Sequence, residues 1–179
     1  MNERSGNTGI IFVRRIVRAI KLDASLYEEV EIDKKALPQA ILIVILSSIA
    51  AGIGSIHVST SPMILANILS ALTGWLLWAY ITLIIGTKLM PEPQTYADYG
   101  QMIRTIGFAS APGLLRVFGA VPLIGMFIFI AAQLWMLIAM VIAVKHALDY
   151  TNQIRPVIVS LFGWIVQIAI ISIVLYFTN

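Results

Sequence analysis

An all-α fold, a polytopic bundle of transmembrane helices with five spans and an N-terminal amphipathic interfacial helix, is predicted by three features of this 179-residue chain. Hydrophobic residues make up 59% of it and charged residues only 12%, against about 45–50% and about 25% in soluble domains. The apolar residues fall in long runs: no Lys, Arg, Asp or Glu occurs from Ala36 to Thr87, from Val117 to Val144, or from Pro156 to Asn179. A spanning helix needs about 20 mainly apolar residues, so the first run holds two spans and each of the others one. The third feature is the placement of the 12 basic residues, which sort onto one side of the bilayer once the spans are drawn.

Residues 1–35 read as a cytoplasmic segment. Over about 10–22, a helical period of 3.6 puts Arg14, Arg15, Arg18 and Lys21 on one face and Ile10, Val13, Ile16, Val17 and Ile20 on another. A helix of this kind lies in the membrane surface, with its apolar side buried and its cations at anionic headgroups. The apolar run Ile10 to Val13 is broken by Arg14 and Arg15 and no small-residue cleavage site follows, so no secretory signal is expected. The acidic stretch Asp23, Glu28, Glu29, Glu31 and Asp33 reads as a solvated helix at the membrane face.

The membrane domain, 36–179, is expected to cross at about 37–56, 63–87, 103–118, 120–144 and 156–177. Pro38 opens the first span, where a missing N–H costs little. Ser47, Ser48, Ala51, Gly52 and Ser55 follow at spacings of three and four, and Ser70 and Gly74 repeat the pattern in the second span. Such small-residue faces let helices approach closely, within the bundle or between copies. Trp75 and Trp78 lie well inside the second span, so they are assigned to bundle packing.

The third segment is the exception. Only eleven residues, Thr105 to Leu115, separate Arg104 from Arg116. At about 1.5 Å per residue they fall short of about 30 Å of hydrocarbon. Arginines snorkelling outward at both ends would extend the reach, and Pro112 bends the segment, which is therefore a short distorted span or a re-entrant piece. Five spans place eleven basic residues on the N-terminal side and one, Arg116, on the other; four spans give ten and two. Either way the N-terminus lies inside by the positive-inside rule, and five is favoured.

Catalytic patterns are missing. With no cysteine, thiolate metal sites, disulfides and cysteine nucleophiles are excluded. No His-Glu-x-x-His, Gly-x-Ser-x-Gly, phosphate-binding loop or dinucleotide-binding glycine pattern occurs. His57 and His146 fall in turns on opposite sides, so no metal site is expected. All nine acidic residues lie in the tail or loops. No cofactor, nucleic-acid partner or enzymatic activity is expected. The chemistry that remains is Arg104, Gly107, Pro112 and Arg116, a possible functional segment of the broken-helix kind that transporters use. Gln133 and Gln167 are positioned to hydrogen-bond between helices. Lys145, His146 and Asp149 read as an interfacial cap, with Tyr150 at headgroup depth.

Ile103-Arg-Thr-Ile-Gly-Phe-Ala-Ser-Ala-Pro-Gly-Leu-Leu115, the Pro122-Leu-Ile-Gly125 turn, and Trp135 ahead of Ala143-Val-Lys-His-Ala-Leu-Asp-Tyr150 together resemble the Yip-type domain family. So does Arg18-Ala-Ile-Lys-Leu-Asp23, followed by Tyr27-Glu-Glu and Leu37-Pro-Gln-Ala-Ile41. These are the Ypt/Rab-interacting membrane proteins, and the likeness is to their prokaryotic branch, over about residues 10–177. The resemblance implies five spans, a cytoplasmic N-terminus, an external C-terminus in the cell membrane, and a non-enzymatic role. Eukaryotic members bind Rab-type GTPases and one another. Their tyrosine–glycine motifs are echoed only at Tyr99-Gly100 and Gly107-Phe108, so small-GTPase binding is not carried over. The expected role is a scaffold or adaptor whose partners are the lipid bilayer and other membrane proteins or further copies of itself. The alternatives are a small transporter or channel component, or an accessory subunit of a larger membrane complex.

Overall fold

The computed structural model describes the backbone of residues 3–54 and 64–178, and side chains within 9–54 and 69–169 apart from residue 70. Seven α-helices account for most of it: α1 Glu3–Ile20, α2 Ala24–Ile32, α3 Leu37–Gly54, α4 Ile64–Ile84, α5 Tyr99–Ala109, α6 Gly125–Ala147 and α7 Arg155–Thr178. Among the described residues, three helical stretches are long and apolar enough to cross a membrane: Lys34–Gly54, Ala71–Leu89 and Gly125–Ala147. A shorter apolar stretch, Arg155–Ala169, opens α7. Ser55, expected in the first span, and His57, expected in the turn after it, lie outside the described residues, as does the side chain of Ser70.

The N-terminal helix is longer than its sequence pattern, and its cations separate. Arg14 and Lys21 are exposed, while Arg15 is only 8% exposed and Arg18 is half-buried. Arg15 Nε donates to Glu29 Oε1 and Nη2 to Asp33 Oδ2, both at 2.8 Å; Nη1 donates to Gln39 Oε1 at 2.9 Å. Arg18 binds Asp23 at 2.7 Å, Ser25 at 2.9 Å, and Glu29. One side chain thus fastens α1 to α2, to the linker and to the start of α3. Burial pushes the Glu29 carboxyl up, but the hydrogen bonds from Arg18 and Arg15 outweigh it and hold it below the usual carboxylate range.

The acidic stretch is not a solvated helix. Asp23 caps α2 by accepting from Ser25 N at 3.0 Å, and Leu26, Tyr27 and Val30 are wholly buried. Apolar residues at this helical spacing make α2 a member of the core. The α1–α2 pair is held from two heights on α6, α1 by one contact and α2 by the other. Trp135, near the middle of that helix, donates to Ile20 O at 2.7 Å. His146, near its end, lies 3.2 Å from Glu28. The α1–α2 pair therefore runs along the flank of the bundle rather than standing beyond it.

The segment expected to cross over 103–118 is two pieces. Asp98 and Gln101 form a reciprocal capping box that starts α5, with bonds of 2.7 and 2.6 Å. Pro112 ends it: the residue before a proline is pushed out of the α region, and the proline has no N–H to continue the ladder. The chain tightens into a ten-residue 3₁₀ helix, Ala111–Ala120, a long run for that geometry. It packs chiefly between α3 and α6.

The α4–α5 and α6–α7 loops are stapled together at one end of the bundle. Glu92 accepts from Thr151 N at 2.9 Å, Thr151 Oγ1 at 2.7 Å and Gln94 Nε2 at 2.6 Å. Backbone and hydroxyl donation from Thr151 leads in holding its carboxyl down to about 2. A π-helical turn, Ile85–Leu89, ends α4. Tyr150 donates there to Gly86 O at 3.1 Å and Met90 O at 2.8 Å, and is buried. Asp149 precedes it in the left-handed region (φ 53°), closing α6 with Tyr150 N donating to Lys145 O at 2.9 Å.

Two outcomes are expected. Asp149→Gly removes the cost of a side chain at positive φ and raises stability by on the order of 1 kcal/mol, seen as a higher Tm in detergent. Arg15→Gln loses the multi-bonded cation, destabilising α1 by about 2 kcal/mol, and speeds amide exchange across α1. Arg14→Gln, at an exposed position, leaves that exchange unchanged.

Candidate functional site

A cavity of about 290 Å³ opens in the bundle interior, lined from α3, α4, α5, α6, α7 and the 3₁₀ segment. Its polar wall is built around Arg116. Because the 3₁₀ helix winds more tightly than α5, Arg116 is turned inward, contrary to the expectation that it snorkels to a surface. Its Nε donates to Gly113 O at 3.0 Å, Nη1 to Gln133 Oε1 at 3.0 Å, and Nη2 to Ser47 O at 2.9 Å and Ser47 Oγ at 2.7 Å. All four acceptors are neutral. Among the described residues no carboxylate pairs with this guanidinium.

Close backbone approach makes that arrangement possible. A Cβ at Gly113 would collide with the Ser47 hydroxyl and sit 2.9 Å from Arg116 Nη2. A Cβ at Gly107 would lie 2.7 Å from that of Ala40 and 3.1 Å from Trp75 Cζ2. Glycine at these positions lets α5 and the 3₁₀ segment press against α3 and α4. Gly107 and Pro112 are thus shaping residues, both buried.

Arg104 does something else. It is 6% exposed, and its Nε donates to Val30 O at 3.0 Å while Nη2 donates to Glu31 O. It satisfies the last carbonyls of α2, where a cation also complements the helix dipole. The two arginines therefore serve different places, one at the α2 terminus and one at the cavity. Beside Arg104, the buried Glu31 carboxylate accepts from Gln101 Nε2 at 3.0 Å. Burial, with Asp149 next and Glu28 and Asp98 adding, pushes its carboxyl up to about 7 against the opposing pull of Arg104.

Of the small-residue positions, Ser48 lines the cavity and donates to Val44 O at 2.7 Å. Gly74 also lines it, and its carbonyl accepts from Gln167 Nε2 at 3.2 Å. Gly52 has open space where a Cβ would stand. Trp75 and Trp78 are buried, line the cavity, and their indole N–H groups have no acceptor among the described atoms. Ser110 and Trp164 complete the wall and were not singled out by the sequence, because nothing in their local pattern differs from other span residues. No group of three potential metal ligands occurs among the described residues.

An all-helical chain with several membrane-crossing helices and a polar interior defines a multi-pass membrane protein. Residues 27–175 match the Yip1 domain, and the chain belongs to that family, whose members are generally non-enzymatic membrane proteins. The match begins within α2, consistent with that helix being part of the bundle. No curated protein and no solved structure matches the chain.

Glu31 gives a pH signature with a definite sign. A carboxyl raised from its ordinary 4.5 to about 7 in the folded chain supports stability fully below pH 4.5 and loses that support as pH rises through 7. Glu31→Gln keeps an acceptor for Gln101 and removes the titration. The variant is therefore expected to melt above the native chain at pH 8, the gap closing by pH 4.5. A pH-independent gap would assign the effect to packing.

Proposed function

We propose that this protein is a non-enzymatic scaffold or adaptor of the cell membrane, crossing five times with its N-terminus in the cytoplasm. On this reading the fifth crossing is made by α5 and the 3₁₀ segment together. The observation that carries the proposal is the outer face of α1. Ile10, Val13 and Val17 are exposed there at helical spacing, beside the exposed Arg14 and Lys21, while the opposite side is locked to α2 by Arg15 and Arg18. Apolar residues flanked by cations suit an anionic lipid surface. A rigidly held membrane-surface helix joined to a bundle gives other membrane proteins, or a second copy, a fixed platform.

The second reading, a small permease or channel component, is favoured by one observation, the cavity at Arg116. Proteoliposomes that leak small ions in the native form and are sealed by Arg116→Gln would establish it in place of the adaptor.

The chain has no cysteine, so Val13→Cys supplies a single labelling site. In vesicles containing phosphatidylglycerol, a fluorophore there is expected to be quenched by brominated lipid, and Arg14→Glu with Lys21→Glu to reduce the quenching severalfold. Unchanged quenching would remove lipid contact from the account. Isolation from native membranes in mild detergent tests the adaptor role directly: specific partners or a homo-oligomer are expected, and a monomer that always runs alone would overturn it.

A further inference from the structure

We propose that the Arg116 cavity is a binding site for an anionic oxygen ligand of the phosphate type. The inference is independent of the adaptor reading, since it rests on the interior and not on α1. A guanidinium is permanently charged, and inside an apolar bundle an isolated charge is costly unless paired. Among the described residues it meets only Gly113 O, Gln133 Oε1, and Ser47 O and Oγ. Those bonds use four of its five N–H groups, leaving one on Nη1, with Arg116 lining the cavity. The bonds orient the cation without neutralising it.

Among the described residues, one further donor on the wall has no partner. Trp75 is 8% exposed and its N–H has no acceptor; an indole nitrogen can only donate. Trp78 Nε1 is also unpartnered among the described residues, but it faces the α4–α7 contact, where a Cβ at Gly163 would lie 3.3 Å from it. The hydroxyls of Ser48 and Ser110 on the same wall donate to Val44 O at 2.7 Å and Ile106 O at 3.4 Å. A ligand that answers the unneutralised guanidinium and the Trp75 indole brings negative charge and acceptors, and phosphate oxygens bring both in the geometry a guanidinium favours. Val44, Ile106, Met136 and Met140 give the lining its apolar part. About 290 Å³ is near the lower bound of small-molecule sites and suits a headgroup or a free anion rather than a large metabolite. The shared chemistry is the phosphate; its source is a phospholipid or a soluble ion.

Three of the four tryptophans, Trp75, Trp78 and Trp164, line the cavity. Trp135→Phe therefore makes intrinsic fluorescence a reporter of this site. The full chain in a neutral detergent is titrated with dioctanoyl phosphatidylglycerol, with inorganic phosphate and with neutral dioctanoylglycerol, following emission and Tm. Saturable changes with the phospholipid but not with phosphate assign a lipid; changes with both assign a soluble anion. In either case Arg116→Gln is expected to weaken binding at least tenfold. Ser48→Leu fills the cavity while keeping Arg116, and is expected to abolish the response; it decides the matter if Arg116→Gln does not fold. An equal response to the neutral diacylglycerol, no response to either anion, or native affinity in Ser48→Leu would overturn the proposal.

Discussion

A chain in hydrocarbon must satisfy every backbone polar group from within, and this bundle meets that demand where it is hardest, at the end of α5. Pro112 stops the α-helical ladder inside the core, and the chain continues as a 3₁₀ coil. Arg116 answers the disruption by donating to Gly113 O within its own segment and to Ser47 O on α3. The same guanidinium reaches Gln133 on α6. Three elements are thereby tied to one cation, and the break becomes the point about which α3, α5 and α6 are arranged. The cavity is a consequence: a tight coil leaves space that a regular helix would fill.

The second organising feature is the conversion of the N-terminal charges into structure. Arg15 and Arg18 meet Asp23, Glu29 and Asp33, so the polar side of α2 faces α1 while Leu26, Tyr27 and Val30 face the bundle. Partly buried charges with several hydrogen bonds each specify one arrangement more strongly than surface pairs do. Glu92 plays the corresponding part in the loops, gathering the donors of Thr151 and Gln94. The end of the bundle that carries the α4–α5 and α6–α7 loops is held by hydrogen-bonded carboxylates, and its middle by small residues and one arginine.

Much of the fold was legible because hydrophobicity is a local property. The charge-free runs place α3, α4, α6 and α7 directly, and Asp98 with Gln101 is a helix start written in sequence. The N-terminal helix was legible in period but not in partner: its basic face was assigned to lipid, yet complementary acids lay 5 to 18 residues further on and claimed half of it. The acidic stretch was misassigned for the same reason. Five carboxyl-bearing side chains read as solvated until Leu26, Tyr27 and Val30, spaced three and four apart, are seen to need a core.

Composition and spacing alone determined that this is a helical membrane protein, where its long apolar helices lie, and that the segment between Arg104 and Arg116 is irregular, since burial of apolar area and backbone bonding depend on neighbours in sequence. Tertiary structure decided which way the two arginines turn, that Ser47 and Gln133 converge on one of them, and that a cavity remains beside it. Those facts depend on helices brought together from positions up to about seventy residues apart, and a one-dimensional pattern carries no record of which face of a helix meets which neighbour.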